Sequence, residues 1–233
     1  VSDPGVGDPV AVVVPAYRAA GTIAGVVSRL RAAVPYAELL VVDDGSDDGT
    51  GELAARVGAQ VLRRSRNEGK GSALSAGLEA AASRAEYIVT LDADGQHPPE
   101  AVPDLLAPLS GGRADLVIGA RRRSPGVMPA GRRLTNWLSS VLVSRAIGTA
   151  VPDAQSGFRA MRRAVAREVR PPGRRYEYET EFLFLAARRG FRIAAVEVPT
   201  VYEGTTSHFR YGADTVRVAG VFLRHWRAIV SGA

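Results

Sequence analysis

The chain has 233 residues, 46% of them apolar and 23% charged, which fits a globular domain with a substantial core and excludes disordered, collagenous and disulfide-stapled classes. Lys plus Arg number 30 against 24 Asp plus Glu, a formal +6, and Lys70 is the single lysine, so 29 of the basic residues are arginines. Guanidinium grips phosphate or carboxylate through two parallel hydrogen bonds, so the balance suits anionic partners, while the lack of cysteine removes thiolate nucleophiles, zinc ribbons and disulfides.

Val1 to Pro9 is short and polar and lacks the basic-then-apolar pattern of a signal peptide. Four apolar runs follow, Val10 to Val14, Leu39 to Val42, Tyr87 to Leu91 and Leu116 to Ile118. Runs of this kind, apolar on both faces, suit central parallel strands. Helix-like segments lie between or after them over Thr22 to Ala33, Thr50 to Val57, Gly71 to Ala82 and Pro99 to Leu109. The alternation predicts an α/β architecture, a Rossmann-like, mostly parallel sheet flanked by helices with right-handed crossovers. Farther on, Arg132 to Ile147 reads as an amphipathic helix, Asp153 to Met161 as a loop with a short strand, Glu177 to Arg189 as a helix and Phe191 to Val201 as a strand. The tail from Asp214 to Val230 places Val218, Phe222, Trp226 and Ile229 on one helical face and Arg217, Arg224 and Arg227 largely on the other. Core packing of the stripe leaves those arginines available to anionic lipid headgroups. No apolar stretch approaches the ~18 residues of a membrane span.

Polar residues gather where the predicted strands end, which is where open α/β sheets place their ligands. After the third run stands Asp92-Ala93-Asp94-Gly95-Gln96-His97. Two carboxylates one residue apart can share a divalent cation; oxygen donors favour Mg²⁺ or Mn²⁺, which would neutralise a departing diphosphate. After the second run stands Asp43-Asp44-Gly45-Ser46-Asp47-Asp48-Gly49-Thr50, where Asp43 and Asp44 suit a nucleobase or ribose hydroxyl and Asp48 or Thr50 suits a helix N-cap. Asn67-Glu68-Gly69-Lys70-Gly71 lacks P-loop spacing, and Pro15-Ala16-Tyr17 replaces a dinucleotide-binding glycine motif after the first strand.

Val13 to Tyr17, Val41 to Ser46, Asn67 to Gly71, Leu91 to Glu100 and Asp153-Ala154-Gln155-Ser156-Gly157-Phe158-Arg159 occur in the order found in family 2 glycosyltransferases. The chain resembles most the dolichol-phosphate mannosyltransferase and polyprenol-phosphate glycosyltransferase group. That resemblance implies a GT-A fold, a GDP- or UDP-sugar donor, Mg²⁺ or Mn²⁺, an inverting transfer and a polyprenyl phosphate acceptor. It divides residues 1–233, read as one domain, into a nucleotide-sugar-binding half over 10–120 and an acceptor-facing half over 121–233. By motif, Pro15, Ala16, Tyr17, Asp43, Asp44, Lys70, Asp92, Ala93 and Arg121 meet the donor, and Asp92, Asp94 and Gln96 hold the metal. Asp94, Asp153 and Arg121 are the expected catalytic residues, with Asp153 as the base should the acceptor be a hydroxyl. Arg132, Arg133, Gln155, Ser156, His208 and Arg210 are expected to meet the acceptor. Glu179 and Glu181 correspond to a family pair, with orientation of Arg159 or helix capping as the plainer alternative.

Two departures stand out: the 233 residues hold none of the transmembrane helices that follow the catalytic domain in many relatives, and Gly204 to Arg210 stands near the place of the usual Gly-x-Ser-Lys-Met segment. A soluble acceptor is therefore the second reading. A basic nucleic-acid-binding module is the third, and no nucleic acid is expected because the arginines come in scattered pairs without interleaved aromatics. The expected location is cytoplasmic, with a peripheral seat at the inner membrane face.

Overall fold

A computed structural model describes residues 8–121, 130–175, 177–199 and 211–225, with backbone alone over 130–136, at 138, over 211–216 and at 218. Seven strands, β1 (Val10–Ala16), β2 (Glu38–Asp43), β3 (Gln60–Arg63), β4 (Tyr87–Thr90), β5 (Leu116–Arg121), β6 (Arg159–Arg162) and β7 (Ile193–Val198), form one sheet in the order β3-β2-β1-β4-β6-β5-β7. All neighbouring pairs are parallel except those made by β6, which runs antiparallel to both β4 and β5.

The helices are α1 (Ile23–Ala33), α2 (Thr50–Arg56), α3 (Lys70–Ala82), α4 (Val102–Ser110), α5 (Ala130–Ile147), α6 (Arg163–Glu168), α7 (Glu177–Arg188) and α8 (Tyr211–Arg224), and a single 3₁₀ turn over Pro99–Ala101 leads into α4. All of β1 is buried. Its alternate residues serve two cores: Val10, Val12 and Val14 face Ile23, Val27, Leu30 and Leu105, while Ala11 and Val13 face Leu74, Leu78, Phe182 and Phe184. That two-sided burial is why the run reads as uninterrupted valine in the sequence.

The predicted elements are present within the described residues, the tail helix as far as Arg224 and the last strand to Val198. Trp226, Arg227 and Ile229 of the predicted tail faces and Val201 lie outside the described residues, and Val218 is described by its backbone alone. Three features go beyond the predictions. β3 is a four-residue edge strand with exposed ends, so its Gln-Val-Leu-Arg carries no alternating signal. Arg-rich α6 is six residues long and too short for a helical period to show. The short strand expected within Asp153 to Met161 inserts as β6 between β4 and β5 rather than extending a parallel series. At the start of α2 the N-cap residue is Gly49, in the left-handed region with φ 83°; Asp48 still serves the helix, its Oδ1 accepting the Thr50 N–H at 3.1 Å. Among the described residues no helix is long and apolar enough to cross a membrane.

Candidate active site

Strands β1, β2, β4 and β5 deliver their C-terminal ends to one edge of the sheet. The register sets Ala16 beside Asp43 and Val13 beside Thr90, so Pro15-Ala16-Tyr17, Asp43 and Asp92 emerge together. Because β6 starts at Arg159 opposite Thr90, the preceding turn of residues 153–158 folds back over this edge. Two buried hydroxyls hold it there: Thr90 Oγ1 donates to the Gly157 carbonyl at 2.7 Å and Ser156 Oγ donates to the Gly119 carbonyl at 2.7 Å. Gly157 passes so close to the acidic motif that a Cβ there would lie 2.5 Å from Asp92 Oδ1.

A charge cluster occupies the centre. Lys70, at the first turn of α3, sets its Nζ 2.8 Å from Asp92 Oδ1, 3.0 Å from Asp92 Oδ2 and 2.5 Å from Glu179 Oε1 on α7. Burial works against the Asp92 charge, but the Lys70 ammonium more than offsets it and holds the carboxyl below its ordinary pKa. Burial likewise opposes the Lys70 charge, and the two carboxylates overcome it, raising the ammonium above its ordinary value. Burial raises Glu179, against the pull of Lys70.

Asp94 is different. Its Oδ1 accepts the Gln96 N–H at 3.0 Å, and burial together with the neighbouring Asp92 charge raises its carboxyl. The Lys70 and Arg121 charges pull the other way without outweighing burial and Asp92. His97 sits beneath, its ring 5.2 Å from that of Phe158; burial pushes its pKa down to about 4 and keeps the imidazole neutral. Opposite, Arg121 at the end of β5 forms a two-pronged pair with Asp153, Nε to Oδ2 at 2.6 Å and Nη2 to Oδ1 at 3.1 Å.

Among the described residues no three His, Cys, Asp or Glu side chains converge to cage a metal by themselves. The donor chemistry still fits a hard divalent cation, because Asp92 and Asp94 present carboxylate oxygens one residue apart and the charge of an ionised Asp94 is only partly offset by Lys70 and Arg121. Mg²⁺-type sites typically use one or two carboxylates and take their remaining ligands from substrate phosphates and water, so a site of this kind is completed by its substrate.

Several expected site residues spend their polar atoms on structure. Asp44 is buried and accepts the N–H groups of Glu68 and Gly69 at 3.2 and 2.8 Å, fastening the loop that presents Lys70. Ser156 is buried as well, its hydroxyl bound to backbone. Gln155 reaches Ser139 Oγ at 3.5 Å, and the Ala93 carbonyl accepts the Thr22 hydroxyl at 2.7 Å. Asp43 Oδ1 accepts the Ser46 N–H at 3.0 Å, and Oδ2 is buried without a hydrogen-bond donor, 3.6 Å from Arg63 Nε. Arg132 and Arg133 lie in α5, where only backbone is described, and His208 and Arg210 lie outside the described residues.

Glu179 proves central. Its signal was the run Glu177, Glu179, Glu181 inside an otherwise apolar helix, where all three are buried. Glu181, on the far side of α7, pairs instead with Arg224 of α8 at 3.1 Å. Arg159 needs neither as its main partner: it donates from Nε to the Ser156 carbonyl at 2.8 Å and from Nη2 to the Ala154 carbonyl at 3.1 Å, bracing the 153–158 turn from below.

Residues 11–170 match the model of the family described as Glycosyl transferase family 2. The chain is 36% identical to the undecaprenyl-phosphate mannosyltransferase of Micrococcus luteus over 92% of each chain. It is 31% identical to the polyprenol monophosphomannose synthase of Mycolicibacterium smegmatis, over 92% of this chain and 85% of the relative. Among solved structures, glucosyl-3-phosphoglycerate synthase of Mycobacterium tuberculosis in complex with Mn²⁺, uridine diphosphate and glucosyl-3-phosphoglycerate superimposes with a TM-score of 0.79 at 27% identity, over 95% of this chain and 81% of that one. Motif order, sheet topology and family match agree, and the chain belongs to glycosyl transferase family 2 as a glycosyltransferase of the GT-A fold.

Proposed function

We propose that the protein transfers a sugar from a nucleotide-diphosphate donor to a polyprenyl phosphate, inverting the anomeric centre, with Mg²⁺ or Mn²⁺ bound at the acidic motif. The observation that carries the donor side is Asp92 and Asp94 one residue apart at the end of β4, with Lys70 against the first and the charge of the second only partly offset by Lys70 and Arg121. The polyprenyl acceptor is supported by the 36% identical relative, whose name states such a substrate.

In this reading Pro15, Ala16, Tyr17 and Asp43 receive the nucleoside, and Asp92, Asp94 and Gln96 hold the metal. When bound, the cation offsets charge on the departing diphosphate. Lys70 keeps Asp92 ionised and fixed, and Glu179 braces Lys70 from the α7 side. Asp44 contributes by shaping the Lys70 loop. Arg121, aligned by Asp153, faces the phosphates, and the 153–158 turn with Arg132, Arg133, His208 and Arg210 serves the acceptor. Both Asp153 oxygens already accept hydrogen bonds from Arg121, which suits an acceptor that arrives as an anion and needs no base. A lipid acceptor places the reaction at a membrane surface, on the cytoplasmic side where nucleotide sugars are supplied.

The test is transfer of label from UDP- and GDP-sugars to polyprenyl phosphate, with and without Mn²⁺, followed by solvent partition. Metal-dependent label in the organic phase is expected. No transfer from any donor to any polyprenyl phosphate overturns the reading. A small phosphorylated acceptor is the second reading, favoured by the phosphoglycerate-containing structural neighbour; label confined to the aqueous phase with such acceptors establishes it.

A further inference from the structure

Asp153 is the carboxylate that a base-requiring transfer would use, and the structure ties it up. Arg121 grips it with Nε on Oδ2 at 2.6 Å and Nη2 on Oδ1 at 3.1 Å, and the two side chains are only 15% and 4% exposed. The backbone on each side of the pair is fixed. Arg121 ends β5, in register with Val198 of β7. Asp153 begins the 153–158 turn, in which the Ala154 N–H donates to Ser140 Oγ at 3.2 Å and the Ala154 carbonyl accepts from Arg159 Nη2 at 3.1 Å. Ser156 Oγ fastens the same turn to Gly119 of β5. The pair is thus set by the fold itself. It also stands at the acidic motif: the Arg121 charge acts on Asp92, Asp94 and His97, and the Asp153 charge acts on His97.

We infer that this ion pair guards the bound donor against water: Arg121 holds Asp153 out of use as a base, so the site passes its sugar to an anionic acceptor and not to a hydroxyl. In hydrolysis the oxygen of water bonds to the anomeric carbon while the bond from that carbon to the diphosphate oxygen breaks, its electron pair leaving with the nucleoside diphosphate. A proton of the attacking water must then pass to a base, and a nearby carboxylate speeds that passage. A phosphate acceptor makes the same bond to carbon with an oxygen that is already negative, and no proton moves. A guanidinium against a carboxylate stabilises its ionised form and makes it a poorer base. The grip therefore slows the reaction that needs a proton acceptor and leaves the other unaffected, a specificity that works by disfavouring the wrong partner. The contact that aligns Arg121 toward the phosphates acts in the reverse direction on Asp153. Without Arg121 the site becomes a nucleotide-sugar hydrolase, a second activity latent in the same residues.

This inference rests on the proposed donor chemistry, and its test uses no lipid acceptor. The full chain is given labelled UDP- and GDP-sugars with Mn²⁺, and the free sugar released is counted, with the donor-induced rise in melting temperature showing that each variant is folded and loaded. Arg121→Met should release free sugar at least tenfold faster than the native chain. Arg121→Met combined with Asp153→Asn should fall back to the native rate or below it. Arg121→Lys keeps a positive charge but loses the two-pronged grip, and it should lie between native and Arg121→Met; it decides the matter alone if the methionine variant does not fold. A loaded arginine variant that hydrolyses no faster than the native chain overturns the inference, and so does a gain that survives the loss of Asp153. Failure of every nucleotide sugar to bind strikes the donor reading and this inference together. Asp153-dependent hydrolysis in Arg121→Met, in a protein whose native chain transfers to no polyprenyl phosphate, supports the guard and strikes the acceptor reading alone.

Discussion

Lys70 is where sequence peculiarity and chemistry coincide: the single lysine sits between Asp92 and Glu179, joining the two ends of the chain's acidic equipment. Replacing it by methionine leaves the buried Glu179 and the partly buried Asp92 without their shared cation, and Lys70→Met is expected to cost about 3–5 kcal/mol, measured by urea unfolding. Gly157→Ala tests the close approach from the other side. Its Cβ would meet Asp92 Oδ1 at 2.5 Å, and a shift of the carboxylate by an ångström is expected to lower kcat about 100-fold, measured as steady-state transfer, with a small change in melting temperature. Lys70, Asp92, Asp94, Arg121 and Asp153 were legible because strand ends and motif order mark them. The roles of Gly157 and Glu179 were not, since each depends on a contact more than 60 residues distant in the chain, Gly157 with Asp92 and Glu179 with Lys70.

At the scale of elements, helix α7 divides its acids between two neighbours. Glu179 turns to the site, while Glu181 accepts both prongs of Arg224 and lies 3.7 Å from His225 Nε2. His225 also stacks on Phe184, ring centroids 4.6 Å apart. Arg224→Ala removes the guanidinium from a buried carboxylate; with Arg224 53% exposed, the expected loss is on the order of 1–2 kcal/mol, read as faster proteolysis of α8 and a lower melting temperature. Burial lowers the His225 pKa below 6.5, with Glu181 pulling the other way. The fold therefore favours neutral imidazole: its contribution is complete above pH 6.5 and declines as pH falls toward the folded value. Native protein should lose more unfolding free energy between pH 7 and pH 5 than His225→Gln does, measured by denaturant titration at both pH values. Long buried strands and amphipathic helices could be read from residue order. β3 and α6 could not, because four and six residues do not complete a recognisable pattern.

For the molecule as a whole, donor and cation should act as one stabilising ligand. Occupancy at 100 times Kd contributes about 2.7 kcal/mol, and a domain of this size gains about 2–4 °C per kcal/mol. Mn²⁺ with the cognate nucleotide sugar is thus expected to raise the melting temperature by about 5–10 °C, and Asp94→Ala to abolish the metal-dependent part, both read by differential scanning fluorimetry. The direction of β6 was the feature of the sheet that residue order could not disclose, since antiparallel insertion depends on partners, not on the strand's own four residues. It also sets the order of assembly. During synthesis β4 and β5 emerge with no strand to join them, and the central ladder waits until Arg159–Arg162 arrives, a long-range closure of the kind that slows folding. Exchange of the segment after residue 121 for that of a relative would also exchange the strand at the middle of the sheet, so chimeras that seek a new acceptor should keep β6 as resident scaffold.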